Sequence, residues 1–248
     1  MTGSDRRVAL VGDASFYVGP PLARLLAARG HNLVLGDPAD GLADELRGLG
    51  IDVETVEGVR NLADPDSSRR LVAAGLARFG RIDAAAAFSG RVITGRFLQS
   101  TLDDLHAAVR GCLEAPFHFL QAVLPSMIDR ADGQILVITS AAGARPTPGA
   151  PLYSAARAAA TMLTRNVAGE VARHRVQVNA VGTNFMDFPE FLRASGADDP
   201  AVRAQIERQV PLGRLGTVDE FASFCMPFLD GTSRFTTGQF VAYAGGWA

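Results

Sequence analysis

Three residues of this 248-residue chain have the types and spacing for proton chemistry at an oxygen: Ser140, Tyr153 and Arg157. Tyr153 and Arg157 are four apart, so on a helix they share one face. Ser140 precedes Tyr153 by thirteen positions and directly follows a short β-branched run. A phenol is a weak acid, but a guanidinium stays charged and stabilises a phenolate held beside it. Tyr153 could then take a proton from a hydroxyl or return one to an alkoxide. Ser140 could hold the same oxygen by a hydrogen bond. Taken alone, Tyr-x-x-x-Arg is an ordinary pair on a surface helix. It gains weight here because a serine stands at the end of a strand just upstream.

A second group sits near the N-terminus, in the run Gly12-Asp13-Ala14-Ser15-Phe16-Tyr17-Val18-Gly19-Pro20-Pro21. A turn that cradles a dinucleotide needs glycines, so that backbone can approach the pyrophosphate at a helix N-terminus. Gly19 meets that need. Asp13 brings a negative charge, Tyr17 a bulky ring, and Pro20 and Pro21 lack an N–H to donate. The turn reads as a cradle that has been filled in. Asp37 stands where an acid would hold an adenosine ribose, but Asp37-Pro38 is also a good turn initiator.

These residues need elements to position them, and the chain alternates strand and helix signals throughout. Residues 8–11, 32–35, 52–56, 83–88, 134–139, 176–180 and 239–242 read as strands. Residues 20–29, 42–49, 66–79, 102–112, 115–130, 151–174 and 219–229 read as helices, several closed by glycine. A looser, Phe-rich stretch runs from 182 to about 200. Repeated β-α units predict one α/β domain over 1–248: a doubly wound parallel sheet covered on both faces. Ligands of such sheets bind at the carboxyl ends of the strands, which is where Ser140 and Tyr17 fall.

Composition narrows the partners. The chain is 48% hydrophobic with a net charge of −2, so nucleic-acid binding by bulk charge is not expected. No membrane-length apolar run or signal peptide is visible. Cys112 and Cys225 are far apart and in no metal-like spacing, which fits a reducing cytoplasm and no metal site. The four histidines are scattered and read as surface or helix-face residues.

The alternation and the Ser…Tyr-x-x-x spacing resemble the short-chain dehydrogenase/reductase superfamily, whose Rossmann-like fold carries Lys where this chain has Arg157. The usual Asn-Asn-Ala-Gly after the fourth strand is replaced by Ala87-Phe88-Ser89-Gly90. Within that superfamily the filled-in turn, Ser…Tyr-x-x-x-Arg and the run Gly182-Thr183-Asn184-Phe185-Met186 resemble halohydrin dehalogenases. The departure at Gly12, where that family has Thr, puts the turn geometry apart from the pattern. The resemblance implies a cofactor-independent enzyme without a functional dinucleotide site and with no cofactor. It would interconvert halo-alcohols and epoxides, with Ser140, Tyr153 and Arg157 catalytic, and open epoxides with small anions. It implies a halide pocket from Tyr17, Thr183, Asn184, Phe185 and Met186, and a substrate pocket from Phe88, Ala142, Phe188 and Phe191. It also implies a cytoplasmic homotetramer built on the helices at 115–130 and 151–174, with the end at Trp247 packed against a neighbouring subunit. Two other readings remain open: an NAD(P)-dependent short-chain reductase with a degenerate turn, and a cofactor-free scaffold or ligand sensor.

Overall fold

The computed structural model describes residues 6–88 and 92–248. Seven parallel strands form one sheet in the order β3-β2-β1-β4-β5-β6-β9: β1 (Val8–Val11), β2 (Asn32–Gly36), β3 (Val53–Val56), β4 (Ala84–Phe88), β5 (Gly133–Ser140), β6 (Val176–Thr183) and β9 (Phe240–Tyr243). Strand order reverses between β1 and β4, so the crevice above them is the topological switch point. The central strands are buried along their whole length, as a sheet covered on both faces requires.

One face is covered by α1 (Gly19–Ala28), α2 (Leu42–Arg47) and α9 (Val218–Cys225), whose Leu22, Leu26, Leu46 and Phe221 pack on Val11, Leu35 and Leu136. The other face is covered by α3 (Pro65–Phe79), α5 (Ala115–Arg130) and α6 (Pro151–Val171), through Leu71, Phe119, Val123 and Val171. Asp64 caps α3 by accepting from Asp66 N, and Gly80 ends it with a left-handed φ of 70°.

The structure departs from the sequence expectation at three places. The helices expected at 102–112 and 115–130 are one continuous rod: α4 (Leu102–Val109) runs into α5 through a π-helical turn, Arg110–Glu114. Pro116 explains it, because proline has no N–H for the carbonyl four residues back and its ring clashes with that carbonyl. The extra residue lets Ala115 N–H bond Arg110 O instead. The strand expected at 176–180 extends to Thr183, since Gly182 and Thr183 stay in register with Thr139 and Ser140. The stretch 182–200 is not a loose loop: it holds β7 (Met186–Asp187) and α7 (Pro189–Ser195), followed by α8 (Pro200–Glu207) and β8 (Gly216–Thr217), which pairs with β7. Short elements whose packing comes from distant partners leave little periodicity to read.

Candidate active site

Ser140 is the last residue of β5 and is buried. Its Oγ accepts from Ala142 N at 3.1 Å and donates to Thr183 O at 3.3 Å. A tight 3-10 turn, Ala141–Gly143, carries the chain away. Gly143 is required there: a Cβ would lie 2.8 Å from the backbone of Arg157 and Ala158. That close approach presses the turn after Ser140 onto α6, which starts at Pro151 and presents Tyr153 and Arg157. Both are buried, and the guanidinium carbon of Arg157 lies 5.0 Å from the Tyr153 ring centroid. Tyr153 packs with Ala142, Ala150 and Ala156, and with Ala108 and Cys112 from the far rod. The structure thus brings Ser140, Tyr153, Arg157 and Ala142 to one corner of the sheet's carboxyl edge. A buried phenol under a fixed cation, with a serine hydroxyl anchored nearby, suits proton transfer at a bound oxygen.

The turn after β1 stands beside this corner. Tyr17 adopts a left-handed φ of 52°, which a glycine would adopt without strain. Its hydroxyl donates to Thr183 Oγ1 at 3.0 Å, and its ring packs 4.6 Å from Phe188 and 5.8 Å from Phe221, centroid to centroid. Burial holds the Tyr17 phenol far above its ordinary range, the Thr183 hydrogen bond opposing only in part. Asp13 is buried; its carboxylate accepts from Ser15 N and Oγ and pairs with Arg60 at 2.9 Å. Arg60 also lies over Phe16. Gly19 is obligatory, since a Cβ would fall 2.0 Å from Asp13 O. Asp37, at φ 40°, accepts from Gly58 N and Val59 N of the segment after β3, a long-range tie rather than the local turn expected from its place before Pro38.

The remaining expected residues divide. Tyr17 and Thr183 touch. Asn184 Oδ1 accepts from Phe185 N, so that amide is already engaged. Phe185 takes a left-handed φ of 56° and meets Phe191 and Trp247 edge to face, at 6.4 and 5.4 Å. Phe191 in turn stacks on Phe188. Met186 is buried on the α9 side of the sheet. Phe88 packs against the same core from the end of β4; Ser89 and Gly90, which follow it, lie outside the described residues. Two residues that sequence reasoning missed are Arg60, which pairs with Asp13, and Arg145. Arg145 lies over the Trp247 ring at 4.6 Å and donates to Trp247 O. Trp247 is therefore held by its own chain. An ion pair across 47 residues and a ring contact across 102 leave no local pattern to find.

Among the described residues, no group of three or more His, Cys, Asp or Glu residues could hold a metal, and no helix is long and apolar enough to cross a membrane.

A protein-family model described as enoyl-(acyl carrier protein) reductase matches residues 18–248. The chain is similar to a 3-oxoacyl-[acyl-carrier-protein] reductase of Synechocystis, 32% identical, with 99% of this chain and 98% of that protein covered. A solved gluconate 5-dehydrogenase from Burkholderia cenocepacia, in complex with NADP and tartrate, superposes with a TM-score of 0.87. It is 29% identical and covers 97% of this chain and 94% of its own. A solved structure described as a dehalogenation enzyme is 29% identical, with a TM-score of 0.84 and 98% of each chain covered.

These findings correct the expected activity. The family model, the acyl-carrier-protein reductase and the gluconate dehydrogenase all carry oxidoreductase names, and one was solved with NADP. They favour the NAD(P)-dependent reductase that the sequence held as an alternative over cofactor-independent dehalogenation. The error has a physical root. Asp13, Tyr17, Pro20 and Pro21 together read as a filled-in phosphate cradle, whereas Arg60 pairs with Asp13 and the backbone at Tyr17 keeps a left-handed, glycine-like conformation. Fold and family match agree: the chain belongs to the short-chain dehydrogenase/reductase superfamily, in the family that the enoyl-(acyl carrier protein) reductase model describes.

Proposed function

We propose that the protein is a cytoplasmic NAD(P)-dependent oxidoreductase that interconverts an alcohol and a carbonyl compound. The observation that carries this reading is the buried Ser140–Tyr153–Arg157 corner at the end of β5, in a chain whose family match runs over 18–248.

The residues fit a nicotinamide dinucleotide at its two ends. Asp37 uses one lone pair on each oxygen for backbone and keeps others for a ribose hydroxyl. The catalytic corner provides for the reacting end. In the middle, Gly19 keeps the backbone turn, with Asp13 neutralised by Arg60. The Tyr17 ring stands in the path, and this reading requires it to leave Thr183 on binding. When bound, the nucleotide supplies or accepts the hydride. The protein's own part is proton transfer. Ser140 Oγ and Tyr153 Oη hold the substrate oxygen, Tyr153 takes or returns its proton, and Arg157 stabilises the phenolate.

The helical apolar surface supports assembly. Leu102, Leu105, Phe117 and Met162 are exposed on α4, α5 and α6, beside exposed Phe97 and Leu98. Such a patch favours a contact between subunits, and we assign the homotetramer interface to it.

The test is direct. NADPH and NADH binding is measured by nucleotide fluorescence, and ketone-dependent NADPH oxidation by absorbance, in the native protein and in Tyr153→Phe. Binding in both with turnover only in the native protein is the expected result. No nucleotide binding, together with nucleotide-free halide release from a bromo-alcohol, would overturn it in favour of the finer dehalogenase resemblance carried by Tyr17, Arg157 and residues 182–186.

A further inference from the structure

The carboxyl edge beyond Thr183 holds a cavity of about 250 Å3 that contains none of the catalytic residues. Phe185, Met186, Leu212 and Tyr243 give it apolar walls, with Asn184 and Arg214 as its polar members. Strand register fixes where it lies. Ser140 is paired with Thr183, and Thr183 with Tyr243, in one row across the edge of the sheet. From the catalytic serine to the cavity wall is therefore two strand spacings, roughly 10 Å. Gly182 keeps this row tight, since a Cβ there would lie 2.6 Å from the Ser140 carbonyl carbon and 2.8 Å from the Phe240 ring.

The cavity carries no charge that a ligand can use. Arg214 is bound bidentately by Glu220 at 2.7 and 2.8 Å and also donates to Leu215 O. A carboxylate or phosphate entering here would find the guanidinium already matched, and would lose its hydration for no partner. Asn184 has spent its oxygen on Phe185 N. What remains is mostly apolar surface, with the Asn184 amide N–H groups and the Tyr243 hydroxyl as neutral donors.

We propose that this cavity receives the apolar tail of the substrate, so that the enzyme takes neutral alcohols or ketones whose alkyl chain or ring reaches roughly two strand spacings from the reacting carbon. This rests on the oxidoreductase reading above and adds the substrate class. It separates the chain from relatives named for acyl-carrier-protein and gluconate substrates, which are large or anionic.

The structure supplies a reporter independent of turnover. Trp247 is the chain's single tryptophan, and it stands edge-on to Phe185, a wall of the cavity. The experiment compares NADPH-dependent reduction of 2-octanone and 2-butanone, and separately titrates the protein with 2-octanol while reading Trp247 emission. Four additional buried methylenes should favour 2-octanone in kcat/KM by roughly a hundred-fold. Ala242→Ile, which fills the cavity from β9, should cut that ratio about ten-fold. Leu212→Asp, at the exposed rim, should do the same should the first variant fold poorly. Equal efficiency for the two ketones, or a preference for keto-acids, would overturn the proposal. If no carbonyl is reduced at all, the oxidoreductase reading fails and the titration still decides on the cavity. A saturable emission change that either variant weakens supports an apolar ligand site, and no change overturns it.

Discussion

In the proposed reaction, Tyr153 is the residue on which the proton chemistry turns. Replacing it with Phe removes the proton carrier but keeps the ring that packs on Ala142 and Ala156. Turnover should fall about 10²- to 10⁴-fold, while the melting temperature stays within a few degrees; a comparable loss of stability would point to a structural role. Tyr17 gives a second prediction. Tyr17→Gly removes the ring from the crevice and relieves the left-handed backbone of its side chain. Nucleotide affinity, measured by fluorescence titration, should rise ten-fold or more. Unchanged affinity would mean that the ring does not lie in the nucleotide's path. His31 supplies a pH prediction. It is buried beside Arg7, and burial first, then that charge, holds its pKa below the ordinary value, against the weaker pull of Leu26 O, Asp230 and Asp83. The unfolded chain therefore binds a proton that the folded chain resists, starting near pH ~6.5. Stability from this group is present above that pH and is lost as pH falls. The melting temperature should drop between pH 7.5 and 5.5, and His31→Gln should flatten part of that slope.

At the scale of elements, the sheet's two ends are held differently. The carboxyl end depends on close backbone approach. Gly19→Ala forces a methyl into Asp13 O and should destabilise by about 3 kcal/mol or unfold the turn, which denaturant unfolding would measure. The amino end depends on buried charge. Asp83 is wholly buried, accepts from Val8 N, and is clamped by Arg81 and Arg130. Burial alone would raise its pKa, but these partners outweigh it and hold the carboxylate ionised. Asp83→Ala leaves cations without their partner and should cost about 3–5 kcal/mol, without altering the residues around Tyr153. Most elements were legible from their glycine stops and their periodicity. The fused α4–α5 rod was not, because the missing N–H of Pro116 is absorbed inside a continuous helix as a π turn, which leaves no separate periodic signal. The pair β7 and β8 was also missed. Two-residue strands have no alternation to detect, and they pair across about thirty residues.

At the scale of the molecule, the apolar residues exposed on α4, α5 and α6 should be covered by other copies of the chain. Sedimentation equilibrium should return about four times the 26.1 kDa chain mass, and Leu102→Arg with Phe117→Arg should shift it downward; a native monomer would sink the assignment. The aromatic contacts from Tyr17 through Phe188, Phe191 and Phe185 to Trp247 join the first turn of the chain to its last residues around the catalytic corner. The molecule thereby builds one edge of the sheet from its two ends and its middle.

The sequence by itself determined the fold class, the order of the sheet's seven strands along the chain and the place of Ser140, Tyr153 and Arg157, because these follow from local periodicity and from a fixed spacing on one strand and one helix. It did not determine what the first turn can hold or where a substrate tail would lie. Those depend on Arg60 reaching Asp13, Glu220 closing off Arg214, and Tyr17 meeting Thr183, contacts between residues up to 166 positions apart. Charge and volume at a site are sums over everything folded into it. Only the tertiary structure brings the terms of those sums together.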